Sequence, residues 1–284
     1  MDGYKEIIEK NIRRLRQQYD LGNYWGRSLF SFIEKLKLES NRKISLFRLP
    51  FNISSISGFV GYKNDQFIVF TNTNKILGHE IFTLAHELYH LLENENIIRE
   101  EIVINELEDN CEYNDDIADK FAAELLMPEN KVREDYELLL AEDQLSVADE
   151  KIIIQLQYLY YVDYQAITKR LYNLELIDSD TKQSLEVIIN EKKELEKITR
   201  KLGYDNNLNQ PSKKEELPKK FLKAIEENYD NKEINYDDLI VIFGYGNLNP
   251  KSFGYEENNS LSNEAKKFVE QLDQELRSGN FGEE

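Results

Sequence analysis

Apolar residues recur at helical spacing through residues 4–40, at Ile7, Ile8, Ile12 and Leu15 and again at Leu29, Phe30, Phe32, Ile33 and Leu36. That spacing predicts two amphipathic helices, separated at Leu21-Gly22-Asn23. Three short β-type runs follow, Ile44–Phe47, Gly58–Tyr62 and Gln66–Phe70, with a hairpin turn at Lys63-Asn64-Asp65. An apolar helix is predicted over roughly 76–92. A polar, acidic loop then leads to a second strong helix over 114–126, stopped by Met127-Pro128. Residues 129–177 read as helical. Within them Ile152–Leu156, a turn near Val162-Asp163, and Ala166–Leu171 resemble a helix-turn-helix. A charged helix over 179–202 and a polar linker to Leu217 precede three short helical stretches, 217–231, 236–243 and 263–277.

Two of the three histidines fall in the helix over 76–92, in His86-Glu87-Leu88-Tyr89-His90. Residues i and i+4 of a helix lie one turn apart on one side, roughly 6 Å along the axis. Imidazoles set that way can close on one Zn²⁺, with Glu87 directed at the open side where a water would sit. The flanking Leu84, Ala85, Leu88, Tyr89, Leu91 and Leu92 mark a helix buried nearly all round. A His-Glu-His cluster in such a setting is costly without a partner, and a metal ion is the natural one.

A catalytic zinc site takes three protein ligands and one open position. His79 lies seven residues before His86, about 10.5 Å along the helix, which is beyond the span of one metal; it reads as a helix-start residue. The acidic stretch offers Glu112, Asp115, Asp116 and Asp119. Asp116, Lys120 and Glu124 recur every four residues as a solvated stripe, whereas Asp115, Ala118, Asp119 and Ala122 share another face. The two alanines allow close approach to the histidine helix. Asp115 then reads as the third ligand, with Glu112 and then Asp116 as alternatives, and Asp119 accepts from a histidine N–H behind the metal.

Composition narrows the rest. At 284 residues with 40% hydrophobic and 11% aromatic content, the chain is long enough for a proper core and is globular. One cysteine, Cys111, excludes a disulfide framework and a thiolate metal cluster, which fits a reducing cytoplasm. No signal-like or membrane-spanning apolar window is present, so a cytoplasmic location is expected. The net charge of −18 is uneven, about +4 over residues 1–90, −16 over 91–150 and −6 beyond. An acidic middle repels a nucleic-acid backbone and suits a basic protein partner. On the helix-turn-helix-like segment only Lys169 and Arg170 are basic in the second helix, which favours packing over DNA contact. A strand-like run with glycines at 239–246 mimics a phosphate loop, but Pro250 rather than Gly precedes Lys251, so ATP binding is rejected.

Phe82–His90 followed by Asp116–Pro128 (Asp-Ile-Ala-Asp-Lys-Phe-Ala-Ala-Glu-Leu-Leu-Met-Pro) is similar to the ImmA/IrrE family of metallopeptidases, over roughly residues 25–135. The resemblance implies an α+β fold: a compact zincin-like metallopeptidase domain (small β-sheet plus HExxH helix) followed by a helical C-terminal extension. With the patterns read above, the chain divides into that domain at 1–140, a helix-turn-helix-like extension at 141–202 and, after a polar linker, a small mostly helical region at 203–284. The resemblance also implies a Zn²⁺ cofactor held by the two motif histidines and an acidic residue. The implied substrate is a protein, a helix-turn-helix repressor or antitoxin of a mobile element or stress switch, with no membrane partner. The family's usual third ligand is Glu, where this chain has the shorter Asp115. A competing reading, a catalytically weak module that binds a regulator or toxin, rests on that substitution. The strand Gly58–Tyr62 is a candidate edge for an extended substrate.

Overall fold

The computed structural model describes residues 2–39, 42–93, 98 and 108–256. The two opening apolar patterns form helices α1 (Asp2–Tyr19) and α2 (Leu29–Glu39), joined through a 3₁₀ turn at Gly26–Ser28. Their stripes, Ile8, Ile12 and Leu15 on α1 and Leu29, Ile33 and Leu36 on α2, are buried.

The β-type runs become β1 (Ile44–Leu49), β2 (Gly58–Lys63) and β3 (Gln66–Asn72), in the sheet order β1-β3-β2. β1 pairs with β3 in parallel and β2 pairs with it antiparallel. The β2–β3 turn places Asn64 and Asp65 at φ 52° and 58°. Two left-handed central residues make the turn whose twist matches that of the strands, and Asn and Asp tolerate that backbone better than other L-residues. The loop before β2 is stapled by buried Asn72. Its Oδ1 accepts from the N–H groups of Phe51 and Asn74, each at 3.0 Å, and its Nδ2 donates to Ile56 O at 2.8 Å.

The HExxH-bearing helix is α3 (Leu77–Glu93), and the second strong helix is α4 (Glu108–Leu126). Pro128, with extended backbone, ends α4 and opens α5 (Glu129–Glu142). The helix-turn-helix-like segment is α6 (Glu150–Tyr160) and α7 (Tyr164–Asn173). Asp149 and Asp163 cap their N-termini, and Tyr161 takes the left-handed conformation between them. Ile152, Ile153, Ile154 and Leu156 belong to the same buried cluster as Ile81, Leu84 and Leu88, so the extension shares the core of the sheet-bearing part.

Two expectations change. The charged helix over 179–202 is α8 (Ser179–Glu186), a 3₁₀ turn at Val187–Asn190, and α9 (Lys192–Lys201). The β-branched run Val187-Ile188-Ile189, of low helix propensity, interrupts it. The polar stretch 203–217 is not a free linker. Leu208 is fully buried, and Glu216 exchanges backbone hydrogen bonds with Arg48 at 3.0 and 2.8 Å, covering the outer edge of β1. Polar side chains concealed this, because the stretch is held chiefly through its backbone.

That strap closes over a buried ion pair. The Arg48 guanidinium is bidentate to Glu80, with Nε to Oε1 at 2.8 Å and Nη2 to Oε2 at 3.1 Å. Thr71 and Ser212 hydroxyls donate to the same carboxylate at 2.9 and 3.0 Å. Glu80 stands in the first turn of α3, so the ion pair ties the start of that helix to β1, β3 and the strap.

By contacts the chain divides into two compact units, residues 1–219 and 220–284. In the second unit, α10 (Lys219–Asp230) leads to α11 (Tyr236–Gly244), which begins in a capping box between Asn235 and Asp238. The expected helix over 263–277 lies outside the described residues. No described helix is long and apolar enough to cross a membrane.

Candidate metal centre

Helices α3 and α4 meet along small and apolar faces. Ala85, Ala118 and Ala122 are fully buried, and the rings of Tyr89 and Phe121 touch with centroids 5.5 Å apart. Without side-chain bulk at the alanines the two backbones approach closely, so a short acidic side chain on α4 reaches the histidines of α3.

His86 Nε2 and His90 Nε2 face each other at 3.2 Å. Asp115 Oδ1 lies 3.4 Å from His90 Nε2 and 3.7 Å from His86 Nε2. Ligands bound to zinc at its usual lengths and a tetrahedral angle are about 3.4 Å apart. All three edges of the triangle match this to a few tenths of an ångström. Two ring nitrogens and one carboxylate oxygen converging so closely fit a borderline-soft dication, and the residues present accommodate zinc. The shorter Asp is compensated by the close helix packing.

His86 Nδ1 contacts Asp119 Oδ1 at 3.0 Å. A proton held between them sits on Nδ1 and leaves the Nε2 lone pair toward the triangle. Burial pulls the His86 pKa down, but the Asp119 hydrogen bond and the Glu87, Asp119 and Asp115 charges outweigh it, and the net shift is upward. The hydrogen bond from His86 in turn lowers the Asp119 pKa. Burial and the neighbouring His86 bring His90 down to about 4, so its imidazole is neutral and available as a ligand.

Asp119 is also the anchor of α7, because Lys169 Nζ stands 3.4 Å from its Oδ2. The adjacent Arg170 donates to Met127 O at 3.0 Å and pairs with Glu124. The two basic side chains of the second helix-turn-helix-like helix are thus both engaged with α4 and its end. Glu124 therefore leaves the solvated stripe expected for it: its side chain is largely buried against Arg170. The rest of that stripe is as expected, with exposed Asp116 paired to Lys120 at 3.2 Å and not among the converging donors. The Glu112 side chain lies outside the described residues. His79 stands apart from the triangle at the start of α3.

Glu87 is 7% exposed, between α3 and β2. Burial pushes its carboxyl up to about 7, opposed by the His86 charge and by the backbone N–H of Val60, which donates to it. The approach of β2 requires Gly58. A Cβ there would lie 2.5 Å from Thr83 Cγ2 and 3.3 Å from Glu87 Oε1. Neither the Val60 contact nor the Lys169 hook follows from the motif. The glycine that opens the predicted strand was the available signal of a close backbone approach.

Removing the Asp119 carboxylate frees His86 to rotate and to change tautomer. Asp119→Ala is expected to weaken zinc binding by about 10–100-fold with the ligands intact, read by competition with a chromogenic chelator. An unchanged affinity would remove Asp119 from the site.

Residues 39–172 match the sequence model of the IrrE N-terminal-like domain, peptidase family M78. No curated protein matches the chain. The matched stretch contains β1–β3, both helices of the triangle, and nearly all of α7 with its hook on Asp119, so this part of the chain is similar to the IrrE N-terminal-like domain of the M78 peptidase family.

Proposed function

We propose that the protein is a zinc-dependent endopeptidase that cleaves a protein substrate, a helix-turn-helix repressor or antitoxin of a mobile element or stress switch. The observation that carries the chemistry is the His86, His90 and Asp115 triangle with the buried Glu87 carboxylate beside it. His86, His90 and Asp115 would hold the metal, and His86 would be oriented by Asp119. A bound zinc ion supplies polarisation of the scissile carbonyl and acidification of the attacking water. Glu87 accepts the proton of that water and returns it to the leaving nitrogen, and the Val60 N–H holds its carboxylate in place.

The outer edge of β2 supports an extended substrate. Asn72 N–H bonds to Ser57 O at 2.8 Å, so strand alternation turns the N–H and C=O groups of Gly58 and the C=O of Val60 away from β3, on the side where the Val60 N–H meets Glu87. Glu87 faces that side. A peptide paired there lies next to the proposed general base. The class of substrate rests on the resemblance to repressor-cleaving relatives.

The test is co-incubation of the zinc-loaded protein with each helix-turn-helix regulator encoded beside its gene, with and without EDTA. The expected result is a chelator-sensitive pair of fragments and one zinc per chain. Substoichiometric zinc with stable binding and no fragments would favour the non-cleaving scaffold, a reading to which the 63% exposed Asp115 side chain lends weight.

A further inference from the structure

Ser57, His79 and Asp163 form a polar cluster outside the metal triangle that the proposed chemistry does not use. Ser57 Oγ lies 3.1 Å from His79 Nε2, and Asp163 Oδ2 lies 3.8 Å from His79 Nδ1. Asp163 is 6% exposed and fixed from behind, because its Oδ1 accepts the Ala166 N–H at 2.7 Å. The start of α3 is pressed onto the turn that carries it: a Cβ on Gly78 would lie 2.5 Å from Asp163 N. His79 is 41% exposed, so the cluster opens to solvent through His79 and Ser57.

The cluster lies in line with the candidate cleft. Ser57 sits at His79, Gly58 packs on Thr83 and Glu87, and the Val60 N–H meets Glu87, so β2 and α3 run side by side in the same direction. Ser57 to Val60 is about 10 Å of strand, and His79 to His86 is about 10.5 Å of helix. The cluster is therefore about three residues of extended peptide away from the reacting centre. It is too far to touch the scissile carbonyl and well placed to read a side chain. An occupant antiparallel to β2 presents there the third residue C-terminal to the cut.

We propose that Ser57, His79 and Asp163 form a specificity subsite for a hydrogen-bond-donating basic side chain, Arg or Lys, at that third position. Asp163 Oδ2, 3.8 Å from Nδ1, is too far for a direct hydrogen bond but favours the tautomer with the proton on that nitrogen, in which Nε2 accepts from the Ser57 hydroxyl. The Ser57 oxygen then presents its lone pairs outward. With Asp163 behind the imidazole and the Ser57 oxygen in front, the cluster is rich in acceptors, which suits an N–H-donating cation. The subsite rests on the peptidase reading.

The experiment uses the full-length, zinc-loaded protein and a proteome-derived peptide library cut after Glu, which preserves internal Lys and Arg; cleavage sites are read by mass spectrometry. Wild type is expected to enrich Arg and Lys at the third position after the cut about tenfold, the worth of one hydrogen bond to a charged group. His79→Ala and Ser57→Ala are expected to abolish that enrichment and to leave the preferences next to the cut in place. Asp163→Asn is expected to reduce the enrichment with His79 still present. Equal zinc content and melting temperature among the variants separate this effect from misfolding. Cleavage with no enrichment at that position, or with enrichment that survives His79→Ala, overturns the subsite alone. Absence of any chelator-sensitive cleavage by wild type overturns the peptidase reading and the subsite with it.

Discussion

On the proposed chemistry, Glu87→Gln is expected to leave zinc bound and to stop peptide cleavage. The substitution keeps the size of the side chain and an oxygen for the Val60 N–H, and it is not among the three converging donors. It removes the buried carboxylate beside the triangle that is proposed to take a proton from water. A general base contributes about 10²–10⁴-fold to such a step, so kcat should fall by about a hundred- to ten-thousandfold with zinc stoichiometry unchanged. Burial, together with the Asp115 charge, holds this carboxyl up to about 7, and a neighbouring dication favours the ionised form that a base requires. Cleavage by Glu87→Gln at the wild-type rate would remove Glu87 from the chemistry. Loss of zinc in the variant would instead point to a structural role. Both are measured on one purified sample, by metal analysis and fragment formation.

Glu80→Ala is the largest expected loss of stability. It leaves the Arg48 guanidinium, 3% exposed, without its bidentate partner, and it also removes the acceptor for Thr71 and Ser212. Glu216 remains at 3.3 Å, but its side chain is 55% exposed and replaces little of the lost pairing. Breaking one half of a buried ion pair costs about 3–5 kcal/mol, a large share of the roughly 5–15 kcal/mol that holds a domain folded. Urea unfolding should show a lower midpoint at an unchanged slope. The double variant Arg48→Met/Glu80→Met should lose less than Glu80→Ala, since it leaves no buried charge unpaired. A loss below about 1 kcal/mol in Glu80→Ala would show that water reaches Arg48 and replaces the carboxylate.

Much of the metal centre was legible because its parts are local. His86, Glu87 and His90 lie within one turn, and helix geometry alone sets their faces. Asp115 and Asp119 were separated from Asp116 by the same periodicity, and the alanines between them announced a close helix contact. The strap at 203–217 was illegible because it is held by backbone hydrogen bonds and by a buried partner far away in sequence, Glu80. The Glu124 side chain went unrecognised for a related reason. Its helical period matches a solvated stripe, and only the return of α7 with Arg170 buries it.

The sequence by itself determined most of the elements, the hairpin turn and the two helices that carry the converging donors, since each depends on residues within a few positions of one another. Tertiary structure decided which groups surround those donors. It placed the Val60 N–H on Glu87, Lys169 on Asp119 and Asp163 behind His79. These contacts join segments brought together by burial of a shared core, and no local spacing encodes the direction in which a distant element returns.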